Sequence, residues 1–297
     1  MLLRFVFGLA AALCAAGSAH AENSPSTVPM TLTRSDYGGG RIYLPVRFGN
    51  MLGTMRLDTG ASTTRVALAP WNRDLPPIGQ SVSTGASGKS TRCDDVQARN
   101  FGLKASQGND IARATYEVSR CAANDGDDLL GLDFFKGSRF SLDFTHREMV
   151  FFGASAADAH PRPFRTLGPD QRLVGVDIRA GDAAVVALFD TGAEISAVDQ
   201  RFVEAHGNLF SPVKAKSAAS EAGGRQFSAK IYKIKSLDLG EGRRLRGIYA
   251  LAYDFGVLRE ALGPQTPFIL GYNVISRFNW VMDFRAPGES TWNARQR

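Results

Sequence analysis

The chain has 297 residues, 44% of them hydrophobic and 22% charged, with a formal net charge of +6. That is an ordinary globular composition, long enough for one large domain or two smaller lobes. The basic residues are scattered, with no interleaved aromatic stripe, so nucleic acid is not an expected partner.

The first segment reads MLLRFVFGLAAALCAAGSAHA. Arg4 precedes an apolar stretch over 5–16, and Ala19-His20-Ala21 places small residues at a cleavage site. This is the anatomy of a secretory signal peptide over 1–21, and the stretch is too short to span a bilayer as a helix. Leu13 before Cys14 argues against a lipoprotein box, and no later segment is long and apolar enough for a membrane anchor. Export to a periplasm or to the extracellular medium is expected. The remaining cysteines, Cys93 and Cys121, are an even pair in an exported chain, which suggests one disulfide; two buried thiols are the alternative.

From residue 41 the chain is written twice. RIYLPVRFGNMLGTMRLDTGAS (41–62) lies on LVGVDIRAGDAAVVALFDTGAE (173–194) without a gap. Ile42, Leu44 and Val46 meet Val174, Val176 and Ile178, an alternation of period two that predicts a strand. Gly49-Asn50 meets Gly181-Asp182, both hairpin turn signals, and Asp58-Thr59-Gly60-Ala61 meets Asp190-Thr191-Gly192-Ala193. Further on, LLGLDFF (129–135) lies on ILGYNVI (269–275), and Leu142-Asp143-Phe144 on Met282-Asp283-Phe284. Short strands with frequent turns indicate an all-β fold. The parts are an N-terminal lobe over 22–153, an Ala- and Pro-rich linker over 154–168 and a C-terminal lobe over 169–297. Short helices are expected over 198–207, with Gly207 as stop, and over 255–263. Gly-rich segments over 79–95 and 217–233 occupy corresponding places and suit hairpin tips.

Each aspartate ends an apolar strand at a tight Thr-Gly turn, and a buried carboxylate is costly without a partner. Two such turns can supply each other's partner. Held together, the two carboxyls cannot both ionise and so share a proton. Glycine lets the backbones approach, and each threonine can direct its hydroxyl to the other loop. One aspartate can then act as general base on a water while the other, protonated, polarises a carbonyl.

With its two DTGA motifs, each followed by an apolar-apolar-Gly signature, the chain resembles the aspartic proteases of the pepsin and retroviral protease superfamily. The resemblance runs from about residue 41 to residue 284. It implies a bilobal fold of two double-psi β-barrel lobes with the active site between them, in a single monomeric chain. It implies an aspartic endopeptidase acting on peptide or protein substrates, with catalytic Asp58 and Asp190 and with no metal and no cofactor. Thr59, Gly60, Ala61, Thr191, Gly192 and Ala193 would support the active-site loops, and Thr59 and Thr191 would cross-bond beneath the dyad. Leu130-Gly131 and Leu270-Gly271 would pack under the opposing loops, and hairpins around 85–88 and 223–224 would be flaps. Gly85, Ser62 and Glu194 would be substrate-binding; an acidic residue stands at the place of Glu194 in the retroviral relatives, where it binds substrate backbone or pairs with an arginine, and a solvated or salt-bridged loop residue is the alternative for Glu194. Ala61 and Ala193 stand where pepsin-like enzymes carry Ser or Thr, which resembles the retroviral form. Residues 22–40 are too few for a pepsin-type propeptide, and no Tyr-Gly flap signature occurs.

GASGKS (85–90) lacks the first glycine of a nucleotide-binding loop, since residue 83 is Ser83. The histidines have no metal-ligand spacing, and no G-x-S-x-G elbow occurs. The remaining alternative is a catalytically weak or inactive member of the same fold that binds peptides or proteins.

Overall fold

A computed structural model describes residues 24–85, 88, 90–122, 127–153, 160–214, 218–220, 226–286 and 288–297. The signal segment over 1–21 lies outside the described residues, as do 86, 87 and 89 of the first hairpin and Gly223-Gly224 of the second.

The period-two alternation becomes a strand at Ile42–Phe48, which turns Ile42, Leu44, Val46 and Phe48 inward. Gly49 follows at φ 59°, and the chain returns as Met51–Leu57 with Phe48 opposite Met51. The second copy repeats this. Leu173–Ala180 turns at Gly181, φ 58°, into Ala183–Phe189, with Ala180 opposite Ala183. A left-handed residue in a two-residue hairpin loop is the position where glycine is strain-free.

Each hairpin opens an eight-stranded sheet. In the first, the order is Thr31–Leu32, Ile42–Phe48, Met51–Leu57, Leu129–Leu130, Arg65–Ala67, Ile111–Cys121, Ser90–Leu103, Pro77–Thr84. In the second it is Arg165–Leu167, Leu173–Ala180, Ala183–Phe189, Phe268–Leu270, Ser196–Asp199, Arg244–Tyr253, Lys230–Asp238, Phe210–Pro212. Ile42–Phe48 also pairs with Ser90–Leu103, and Leu173–Ala180 with Lys230–Asp238, so both sheets close into barrels. Even the parallel pairings coincide: Met51–Leu57 with Leu129–Leu130 matches Ala183–Phe189 with Phe268–Leu270. The sequence repeat is thus a repeat of topology.

A third, six-stranded sheet draws on both halves. At its centre Arg139–Asp143 runs antiparallel to Phe278–Asp283, with Phe140 opposite Met282 and Leu142 opposite Trp280. An aromatic chain follows the same seam. Phe140 and Phe284 lie 6.0 Å apart between ring centroids, Phe284 and Phe164 5.6 Å, and Trp280 touches Phe189 at 4.8 Å, one residue before Asp190.

Two expectations change. The stretch read as a linker, 154–168, contributes strands Arg162–Pro163 and Arg165–Leu167. Pro163 is tolerated because its strand is the edge of the six-stranded sheet, where a missing amide costs no ladder bond. The helix expected from 198 begins at Gln200, because Ser196–Asp199 is a strand whose last residue caps it: the Asp199 carboxylate accepts from the Arg201 amide. The helix ends at Ala205 with His206 as its C-cap, and Gly207, expected as the helix stop, opens a 3-10 turn. The second expected helix forms over Val257–Leu262. The two cysteines form the disulfide Cys93–Cys121, across adjacent antiparallel strands.

Candidate active site

Met51–Leu57 and Ala183–Phe189 each deliver an aspartate to the seam between the barrels. The Asp58 amide donates to the Leu130 carbonyl and the Asp190 amide to the Leu270 carbonyl, both at 3.0 Å, so each loop leaves its strand held by the apolar-Gly signature of its own half. Gly131 and Gly271 are pinned likewise. Their amides donate to Thr64 Oγ1 at 3.1 Å and Ser196 Oγ at 3.0 Å. A Cβ on Gly131 would lie 2.4 Å from the Thr63 carbonyl carbon, and one on Gly271 2.7 Å from that of Ile195. These glycines therefore support the loop of the same half, not the opposing loop as the family resemblance implied.

The bonds across the seam come from the threonines. The Thr59 amide donates to Thr191 Oγ1 and the Thr191 amide to Thr59 Oγ1, each at 3.0 Å. Each hydroxyl then donates onward, Thr59 to the Phe189 carbonyl at 2.9 Å and Thr191 to the Leu57 carbonyl at 3.0 Å. Both threonines are buried, so four hydrogen bonds fix one loop against the other out of water. Above them each carboxyl packs on the opposite glycine: a Cβ on Gly60 would lie 2.4 Å from Asp190 Cγ, and one on Gly192 2.3 Å from Asp58 Cγ.

The two loops are not identical. Asp58 Oδ1 accepts from the Gly60 amide at 3.0 Å, whereas Asp190 Oδ1 accepts from the amides of Gly192 and Ala193, at 2.8 and 3.1 Å. The Ala61 amide turns instead to the Asp58 carbonyl. Burial of the Asp190 carboxyl, and after it the Asp58 charge within hydrogen-bonding reach, raise its pKa well above the usual carboxylate range. The two amide donors oppose that rise without cancelling it.

Of the remaining residues named from sequence, Glu194 is engaged. Its Oε1 lies 2.6 Å from Arg41 Nη2, an ion pair that joins the two halves. Arg41 also reaches Asp127 at 3.1 Å, and Asp127 receives the buried Arg56 at 3.3 Å. Sequence reasoning passed over Arg41, although it opens the first repeat where the second has Leu173. Ser62, the counterpart of Glu194, is partly exposed and takes no part in that pair. Gly85 follows the strand Pro77–Thr84, and its carbonyl accepts from the Gly88 amide at 2.9 Å. A Cβ on Gly88 would lie 3.3 Å from Val257 Cγ2, so this hairpin reaches across to the second half.

Residues 174–274 match a family described as aspartyl protease. No curated protein matches the chain in sequence. Among solved structures the chain is similar to basic 7S globulin from soybean, with 11% identity and a TM-score of 0.51 over 91% of this chain and 94% of that one. It is similar to conglutin gamma, a basic 7S globulin from lupine seeds, with 10% identity and a TM-score of 0.54 over 93% of this chain and 96% of that one. Over 174–274 the chain is thus similar to the aspartyl protease family, and its duplicated all-β fold is similar to that of the two globulins.

Proposed function

We propose that the chain is an aspartic endopeptidase that hydrolyses peptide bonds with a water held between Asp58 and Asp190. The observation that carries this reading is the cross-bonded pair of Asp-Thr-Gly loops, complete in both halves, where burial and the neighbouring Asp58 push the Asp190 carboxyl pKa upward. In the proposed reaction Asp58 takes a proton from the water as its oxygen attacks the scissile carbonyl carbon, and the Asp190 proton passes to the carbonyl oxygen. The resulting diol collapses as Asp58 returns its proton to the leaving nitrogen and one hydroxyl proton returns to Asp190. Substrates are peptides or unfolded proteins lying along the seam, and Arg41, Glu194 and the hairpin at Gly85 border it. The disulfide is compatible with export, and among the described residues no helix is long and apolar enough to cross a membrane.

A second reading has its own support. The two solved structures named above are described as globulins, so this fold also serves proteins not described as proteases. In that case the seam binds peptides without cutting them.

A diverse peptide mixture incubated with the mature chain across pH, and read by mass spectrometry, separates the two. Cleavage that a statine-type inhibitor stops is the expected result. Asp58→Asn or Asp190→Asn should each abolish it, and the double variant should lose little more, because the two act as a unit. Substantial turnover in Asp190→Asn would refute the dyad.

A further inference from the structure

Behind the Asp58 loop, away from the seam, the first half holds a second group of polar side chains. Asp133 stands two residues after Gly131, as Asn273 stands two after Gly271. In the second half the role of that position is plain. Asn273 Oδ1 accepts from the Ser196 amide and hydroxyl, both at 2.8 Å, and its Nδ2 donates to the Tyr249 carbonyl at 2.8 Å. One end of the amide accepts and the other donates. Ser196 in turn receives the Gly271 amide, and so steadies the loop that carries Asp190.

In the first half a carboxyl takes the place of the amide, and three oxygens close a triangle. Tyr116 Oη lies 2.5 Å from Asp133 Oδ2, Thr64 Oγ1 lies 3.0 Å from Asp133 Oδ1, and Thr64 Oγ1 lies 2.8 Å from Tyr116 Oη. Three edges need three protons. The two hydroxyls supply one each. An ionised Asp133 would leave one edge as two lone pairs in contact. A protonated Asp133 completes the ring: its Oδ2 donates to Tyr116, Tyr116 to Thr64, and Thr64 to Oδ1. This reproduces the accept-and-donate pattern of Asn273.

The surroundings agree. No lysine or arginine among the described residues forms an ion pair with Asp133. Arg113, on the same strand as Tyr116, gives its guanidinium to the carbonyls of Phe134 and Lys136 and lies over the Phe134 ring. Phe101, from the neighbouring strand, stacks on Tyr116 and is apolar. The amides of Phe134 and Thr64 and the two hydroxyls favour the ionised form, but burial outweighs them and the Asp133 pKa is raised.

We propose that Asp133 is protonated in the folded protein at mildly acidic pH and is a positioning residue, closing a three-proton ring that fixes the loop carrying Asp58. Its path is short. Thr64 receives the Gly131 amide, the Leu130 carbonyl receives the Asp58 amide, and the Leu132 amide donates to the Ala61 carbonyl at 2.8 Å. The positioning role rests on the reading of Asp58 as catalytic; the protonation does not.

The tests separate these two parts. In the full chain, carbon-13 NMR of the aspartate carboxyls, with the Asp133 signal identified by its loss in Asp133→Asn, should find it protonated near pH 5, where an ordinary aspartate of pKa about 3.9 is ionised. An Asp133 signal already ionised there would overturn the proposal. Thermal unfolding gives a second reading. A raised carboxyl pKa contributes stability that is full below the unfolded value and is lost as pH rises through the folded one. Asp133→Asn should therefore gain on the wild type as pH rises, and parallel profiles would contradict the proposal. For hydrolysis, Asp133→Ala should lower kcat about tenfold with KM little changed, and Asp133→Asn should restore it to within about twofold. An Asn variant as impaired as the Ala variant would end the positioning role. If no form of the chain cleaves any peptide, the protease reading fails, while NMR and unfolding still decide the proton.

Discussion

Gly60 and Gly192 leave no room for a methyl group, because each lies under the opposite catalytic-candidate carboxyl at less than van der Waals distance from any added Cβ. Gly60→Ala and Gly192→Ala should each destabilise the fold by about 1–3 kcal/mol by overpacking. Each should also abolish cleavage, measurable by thermal unfolding beside the peptide assay. The upward shift of Asp190 sets a second expectation, since a carboxyl that holds its proton past the ordinary range keeps a one-proton pair into mildly acidic solution. Activity should follow a bell centred at roughly pH 4–6. Ala61→Ser with Ala193→Ser, by adding hydroxyl donors to the carboxylates, should move the acidic limb downward. A maximum near pH 2 in the unaltered protein would contradict this. At this scale the sequence already pointed to the two Asp-Thr-Gly turns that the fold brings together. Aspartate, threonine and glycine at fixed positions carry their chemistry in their identity. Arg41 and Asp133 were not legible, because their roles depend on partners 153 and 69 residues away, Glu194 and Thr64, and no local spacing announces such a contact.

Among the elements, the two long strands Ser90–Leu103 and Ile111–Cys121 are clamped at one end by the disulfide, with Cys93 and Cys121 both buried. The closed loop has a sequence separation of 28, so Cys93→Ser with Cys121→Ser should cost on the order of 3 kcal/mol. The unfolding temperature should drop accordingly, with the β-sheet circular dichroism retained at low temperature. A midpoint unmoved by the double change would show that the strand pairing alone holds this region. Strands with alternating apolar residues and Gly-turns were readable from the residue pattern alone, since periodicity reports burial directly. The strands at Arg162–Pro163 and Arg165–Leu167 were not, because an Ala- and Pro-rich stretch has the composition of a connection, and only the waiting sheet edges make it extend.

For the whole molecule, the six-stranded sheet makes the halves interdependent. Phe140 and Leu142 of one half, and Trp280 and Met282 of the other, are fully buried where the two central strands meet. Fragments covering 22–153 and 160–297, produced apart, should expose these side chains and fail to give folded monomers. Produced together, they should co-purify and recover the native circular dichroism. Two independently folded, non-associating fragments would contradict the structure. The duplication itself was legible from the sequence, but this shared sheet was not, because repeat units reveal their likeness and not the way they join. The halves have also diverged at the seam. The Arg41–Glu194 pair has only Leu173 and Ser62 at the corresponding positions of the repeat, so one side of the seam carries an ion pair that the other lacks. A groove between identical halves would accept a chain running either way at equal energy. On the proposed reading, the two directions of a peptide bound along the seam therefore differ in energy, and one polarity of the chain is preferred.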